Sequence, residues 1–278
     1  MDADSQYQKA YGEYLSQVKT QFNQALTVMM LWVVVLGAVF FAQDVLFNTK
    51  DFAITPQAVG GLIGVLSAPL LHGSFEHLAS NAFAFLILGT LAGSLYPRAS
   101  LRAWPVIWLG SGLGTWFISI GGHHIGASGI TVGLMFFLIG QGLKRRDRTS
   151  LIALLMALFF FGGMVLSVLP REQGISWEYH LSGAVFGLLT GLLLSHLDAQ
   201  APKRLYSWDI EQDVGGAEEQ QAELEPPRPQ DVPVLWHHHP ATGRKVIVFR
   251  RPRGNRLKSC VARPSALKWP KSHRAPPP

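Results

Sequence analysis

The sequence predicts an all-α membrane protein, a six-transmembrane-helix bundle followed by a largely disordered C-terminal tail. Three observations predict it. Hydrophobic residues fill 48% of the 278 positions and charged residues only 15%, whereas a soluble domain carries about a quarter charged. Six apolar stretches qualify, or nearly so, for the roughly 20 residues that a helix needs to cross a hydrocarbon core of about 30 Å. Basic residues gather in alternate connections between those stretches, the asymmetry that orients a multi-pass chain.

A polar lead, residues 1–24, is expected to be cytoplasmic. The first apolar stretch, 25–46, runs too long for a cleavable signal and is read as a retained span. The segment "VGGLIGVLSAPLL" (59–71) is too short to cross and ends near a proline, so it is expected to be interfacial or re-entrant. Spans at 77–97, 103–121, 126–143, 151–170 and 179–198 complete a membrane domain over 25–198. Arg98 and Arg102 separate the second and third spans, "KRRDR" (144–148) the fourth and fifth, and Lys203 and Arg204 follow the sixth. The opposite connections hold Lys50 and Arg171. Both termini are therefore expected in the cytoplasm, with a bacterial inner membrane as the location.

Residues 199–278 change character, acidic and Gln/Pro-rich over 209–231 and basic over 244–274. Such a composition buries little apolar surface and predicts a disordered cytoplasmic tail. Its basic part can touch anionic lipid headgroups. His237 to His239 are weak evidence for metal, and no nucleic-acid partner is expected. Cys260 is the one cysteine, which excludes an intrachain disulfide.

Polar groups inside spans are expensive and mark function. Three sets fall at the same outer depth: "HGSFEHLASN" (72–81), Ser128, and His180 in "EYHLSGAVFGLLTG". His77 and Asn81, four apart, share a helical face, while His72 belongs to the incoming loop. His180, Gly183, Gly187 and Gly191 form one small-residue stripe, and the fourth span offers Gly126, Gly129 and Gly133 beside Ser128. Stripes of this kind let helix backbones approach closely. If the two face each other, His180 comes within reach of the Ser128 hydroxyl. Serine needs a base to become a nucleophile, and a histidine of near-neutral pKa serves. Free N–H groups at the start of a helix, with His77 and Asn81, can stabilise an oxyanion. Glu178 points elsewhere on its helix, so a dyad is expected. His123 and His124 are read as interfacial side chains. "HGSFEH" lacks the i, i+4 pairing of a helical metal site, and no metal is expected.

With these residues in place, the chain resembles the rhomboid family of intramembrane serine proteases, over about 25–198. The resemblance rests on "HGSFEHLASN", "GASG" and "HLSGAVFG". It implies cleavage of peptide bonds in or near transmembrane segments of substrate proteins, without cofactor. It implies Ser128 as nucleophile, His180 as general base, and His77, Asn81 and the Ser128 N–H as oxyanion hole, with His72 holding the first outer loop. Three departures accompany it: no Trp-Arg in the first outer loop, "GSLYPRAS" in place of a Glu-x-Arg element, and Val132 where an aromatic commonly stacks on the imidazole. The alternative is a catalytically inactive rhomboid-like protein that binds transmembrane helices. A histidine proton relay is a more distant one. The fifth span, with Gly162, Gly163 and Pro170, is expected to form a lateral gate.

Overall fold

The computed structural model describes residues 3–170 and 176–203. The expectations for the tail beyond 203 and for positions 171–175 lie outside them. Among the described residues the structure is helical without a strand, apart from an isolated bridge between Ile54 and His124.

Helix α1 spans Ala3–Ala42 without interruption. The polar lead and the first apolar stretch are thus one rod, since nothing in residues 3–24 breaks a helix. Its apolar part leaves Leu31, Val34, Val35 and Phe41 exposed while burying Met29 and Leu36. Exposed apolar side chains at this density mark a surface that water does not cover. Residues 59–70 form only short turns: a 3-10 turn Val59–Ile63, helix α2 (Gly64–Ser67) and a 3-10 turn Ala68–Leu70.

Helix α3 (Phe75–Ala84) starts at Ser74, whose hydroxyl oxygen accepts from the His77 N–H at 3.1 Å, a standard N-cap. A π-helical turn, Phe85–Gly89, joins it to α4 (Thr90–Leu95). Helix α5 (Pro97–Ile118) opens with proline, where the missing N–H costs nothing. The Asp198 carboxylate accepts from the next two N–H groups, of Arg98 and Ala99, at 3.0 and 2.9 Å. Helix α6 is Ser128–Arg145 and α7 is Arg148–Phe161, followed by α8 (Gly163–Leu166) and α9 (Trp177–Leu193). By length and composition, Asp4–Ala42 and Phe75–Leu95 are long and apolar enough to cross a membrane.

Helices α6 and α9 meet along glycine. A side chain on Gly183 would overlap the Gly129 carbonyl, one on Gly187 the Gly133 carbonyl, and one on Gly191 the Phe137 carbonyl. The backbones therefore touch directly, and dispersion acts over their whole length. Gly126 is not part of this seam. It precedes α6 with φ +111° and faces His77, because the helix begins two residues later than the apolar pattern does.

The opposite end is tied by Arg145. Its guanidinium donates to the carbonyls of Ser195, Asp198 and Ala199 at 2.9–3.0 Å, pairs with Asp147 at 3.2 Å and lies over the Tyr96 ring. Burial alone would raise the Asp147 pKa. The hydrogen bonds from Ser150 and Arg145 outweigh it and hold the carboxyl below its ordinary value.

The glycine seam makes a test. Gly187→Ala should destabilise the protein by about 1–3 kcal/mol, the usual cost of overpacking, read as a lower melting midpoint in detergent. Gly37→Ala, where a methyl meets nothing within 4 Å, should leave the midpoint unchanged or raise it slightly.

Candidate active site

A cavity of about 1150 Å³ opens at the end of the seam where α6 and α9 begin, and Ser128, His180, His77 and Asn81 all line it. Four residues from three remote segments are thus brought to one space. Of the other residues singled out from sequence, Gly129 packs under the Tyr179 ring and Gly183 against Gly129. His72 is fully buried and does not line the cavity.

The backbone before Ser128 is shaped by its neighbours. The Gly126 N–H donates to the Ala68 carbonyl at 2.8 Å, which fixes the chain against the 59–70 turns. A Cβ at Gly126 would strike Cε1 and Nε2 of His77, so glycine is required there by φ and by space together. Ala127 is the N-cap and offers no side-chain acceptor. The Ile130 and Thr131 N–H groups both donate to the Ala127 carbonyl at 3.0 Å, which leaves those of Ser128 and Gly129 without a partner in the helix, at the positive end of its dipole.

His180 is oriented by a backbone group. Its Nδ1–H donates to the Ser167 carbonyl at 3.2 Å, which leaves Nε2 with its lone pair free. Asn81 Nδ2 donates to the His77 carbonyl at 3.0 Å, and Thr131 Oγ1, 3.5 Å from Asn81 Oδ1, also donates to the Ser128 carbonyl at 3.0 Å. The Ser128 hydroxyl makes no hydrogen bond among the described residues. His72 stands behind His77 with ring centroids 5.1 Å apart. Its backbone is clasped by the Gln43 carboxamide, which donates to the His72 carbonyl and accepts its N–H.

Sequence reasoning misses three features. Gln43 carries no motif, and the Ser167 acceptor is a carbonyl that no side-chain identity reveals. His124, read as an idle interfacial residue, is half-buried and bonded through both ring nitrogens, to Ser176 and Ser119. Burial lowers its pKa from the ordinary histidine value, against the pull of the Glu178 carboxylate. Among the described residues no group of three or more His, Cys, Asp or Glu converges as a metal site would require.

Exposed apolar helices joined by a glycine seam, with an open cavity lined by serine and histidine at one end, define a helical protein suited to a membrane. The Rhomboid domain profile matches residues 59–197, half of the chain, and the protein belongs to the rhomboid family, whose members are integral membrane proteins. An uncharacterised protein of Mycobacterium tuberculosis is 39% identical over 160 residues, covering 54% of this chain and 65% of that protein. One from Mycobacterium leprae is 36% identical over 152 residues, 51% of this chain and 58% of that one. This chain thus spans less than two thirds of the length of these relatives. A protein of Acanthamoeba polyphaga mimivirus named as a rhomboid protein is 26% identical over 169 residues, 58% of this chain and 87% of that one.

Replacing Gln43 by Ala orphans a buried N–H and a buried carbonyl at His72. A loss of about 1–3 kcal/mol follows from leaving such groups unpaired, measurable as a lower unfolding midpoint, with Gln43→Glu intermediate because it keeps the acceptor.

Proposed function

We propose that this protein is an intramembrane serine endopeptidase, cutting peptide bonds in or near transmembrane segments of other membrane proteins with a Ser128–His180 dyad. The observation that carries this reading is that Ser128, at a helix start, and His180, with Nε2 free, line one cavity together with His77 and Asn81. In this scheme Ser128 Oγ attacks the scissile carbonyl carbon as its proton passes to His180 Nε2. The oxyanion that forms is met by the Ser128 N–H and by donors from His77 and Asn81. His180 then gives the proton to the departing amine, and the C–N bond breaks. Water, deprotonated by His180, attacks the acyl-serine and restores the enzyme. No cofactor takes part.

The reading includes six spans, with α5, α6, α7–α8 and α9 crossing beside α1 and α3–α4, and both termini in the cytoplasm. The basic residues of 144–148 would face inward and the cavity outward, toward water. Substrate helices would enter between α3 and α7, where Phe83 and Phe161 meet with ring centroids 5.9 Å apart and both line the cavity. Gly162 interrupts the helix directly after Phe161, which suits a gate at the fifth span. A second reading, a non-catalytic binder of transmembrane helices, is favoured by the unbonded Ser128 hydroxyl and by Val132, which puts no aromatic ring on His180.

A fluorophosphonate probe should label Ser128 in the detergent-solubilised parent, and labelling should vanish in Ser128→Ala and in His180→Ala. Asn81→Ala should keep some turnover on a model transmembrane substrate, since losing one oxyanion donor costs about 10²–10³ in a soluble serine protease. Label retained by Ser128→Ala removes the assignment, and an unlabelled parent selects the non-catalytic reading.

Orientation is tested separately in a Cys260→Ser background. A cysteine at Gly121 should react with an impermeant thiol reagent on intact cells, and one at Arg146 only after the cells are opened. The reverse pattern inverts the topology.

A further inference from the structure

The connection before Ser128 and the first turn of α9 are joined by four side chains that the dyad does not use. His124 Nδ1 lies 2.6 Å from the Ser176 hydroxyl, and Nε2 lies 2.9 Å from the Ser119 hydroxyl. The Ser119 hydroxyl in turn donates to Glu178 Oε1 at 3.2 Å. One arrangement of protons satisfies the set. Ser176 O–H donates to Nδ1, Nε2–H donates to Ser119 Oγ, and Ser119 O–H donates to the carboxylate. Nε2–H also lies 3.1 Å from the Gly121 carbonyl. The chain of bonds therefore starts at Ser176, the N-cap of α9, and reaches the helix again at Glu178, passing through His124 and the buried Ser119.

The backbone of His124 adds a third attachment. Its N–H and carbonyl both pair with Ile54 at 3.0 Å. Four residues onward lies Ser128. On the other side, the His180 N–H donates to the Ser176 carbonyl at 3.2 Å, so the residue bonded to His124 Nδ1 is also the one that starts the turn carrying His180. Ser128 and His180 share no hydrogen bond of their own. Their separation at this end of the seam is set by the segments that hold them.

Resting on the protease reading, we infer that His124 is a positioning residue, which sets the orientation of His180 relative to Ser128 by clamping the α9 start to the connection that leads into α6. It lines the cavity but bonds to neither Ser128 nor His180, and it acts on the pair through the segments that carry it. A displacement of about 1 Å in a catalytic pair can cost about a hundredfold in rate, so a loosened clamp acts on chemistry before it acts on folding.

The test uses the full chain in detergent with His124→Phe, which keeps a ring and removes both nitrogens, and with Ser119→Ala and Ser176→Ala, which open the bond chain at either side with little change in volume. Hydrogen exchange in peptides covering 176–181 should quicken roughly five- to tenfold in all three, with 130–140 unchanged, because one local hydrogen bond is lost from a region that opens by itself. The rate of fluorophosphonate labelling at Ser128 should fall about ten- to a hundredfold, and kcat on a transmembrane substrate should fall with KM constant. His124→Asn, which restores an acceptor near Nδ1, should recover part of the labelling. Exchange and labelling both unchanged in Ser119→Ala and Ser176→Ala overturn the inference. So does quickened exchange that spreads equally to 130–140, which marks general destabilisation. A parent that does not label at all defeats the protease reading instead, and the exchange measurements still decide whether His124 clamps α9.

Discussion

The structure depends on one constraint, the direct backbone contact of α6 and α9. Gly129, Gly133 and Gly140 on one helix and Gly183, Gly187 and Gly191 on the other leave no room for a methyl group between them. In lipid, where apolar side chains gain little by meeting one another, close packing of small residues is what holds helices together. The seam also fixes register. A slip of one residue would drive side chains into carbonyls, so the pairing of Gly129 with Gly183 also fixes the relative height of Ser128, the residue before Gly129, and of His180, about one turn before Gly183, at the cavity that both line.

A seam of glycine resists sliding more than it resists splaying at its ends, because dispersion falls steeply with separation. Both ends carry polar ties. At one, Arg145 spans α6 and the segment after α9 through three carbonyls and the Asp147 carboxylate. At the other, His124 joins the residues before α6 to those that begin α9. The two ties differ in kind. A guanidinium with fixed fork geometry serves the end that holds structure, and an imidazole linked through Ser119 to the Glu178 carboxylate serves the end beside the cavity.

The helical class is legible because composition and run length report directly on the solvent a helix meets, as the exposed Leu31, Val34 and Phe41 of α1 show. The meeting of Ser128, His180, His77 and Asn81 around one cavity is legible to the extent that depth in a membrane follows from position along a span and face follows from spacing. What escapes is whatever the backbone contributes. Asn81 is visible as a polar side chain in an apolar helix, but the Ser167 carbonyl is not visible as anything. Gly126 reads as part of a stripe until its φ of +111° is known. Gln43 clasps His72 from 29 residues away, a pairing to which no local period points. His124 escapes for the opposite reason: its neighbours look like an ordinary outer loop, and only their fold-back makes it a tie.

The use of a carbonyl to orient His180 has a chemical consequence within the protease reading. A carboxylate on Nδ1 would fix the tautomer and also stabilise the imidazolium once the serine proton arrives. Burying that carboxylate near lipid would cost several kcal/mol of desolvation before any reaction began. The Ser167 carbonyl fixes the same tautomer at almost no such cost, since a neutral acceptor keeps its hydrogen bond and brings no charge. It offers the imidazolium only a dipole. A larger share of the barrier must then be lowered at the oxyanion, by the donors at the cavity: the Ser128 and Gly129 N–H groups, the His77 ring packed against Gly126, and Asn81, whose amide is held by the His77 carbonyl. The Ser–His pair without an acid and the crowded set of donors around it are therefore two sides of one solution to placing charge in a poorly solvated site.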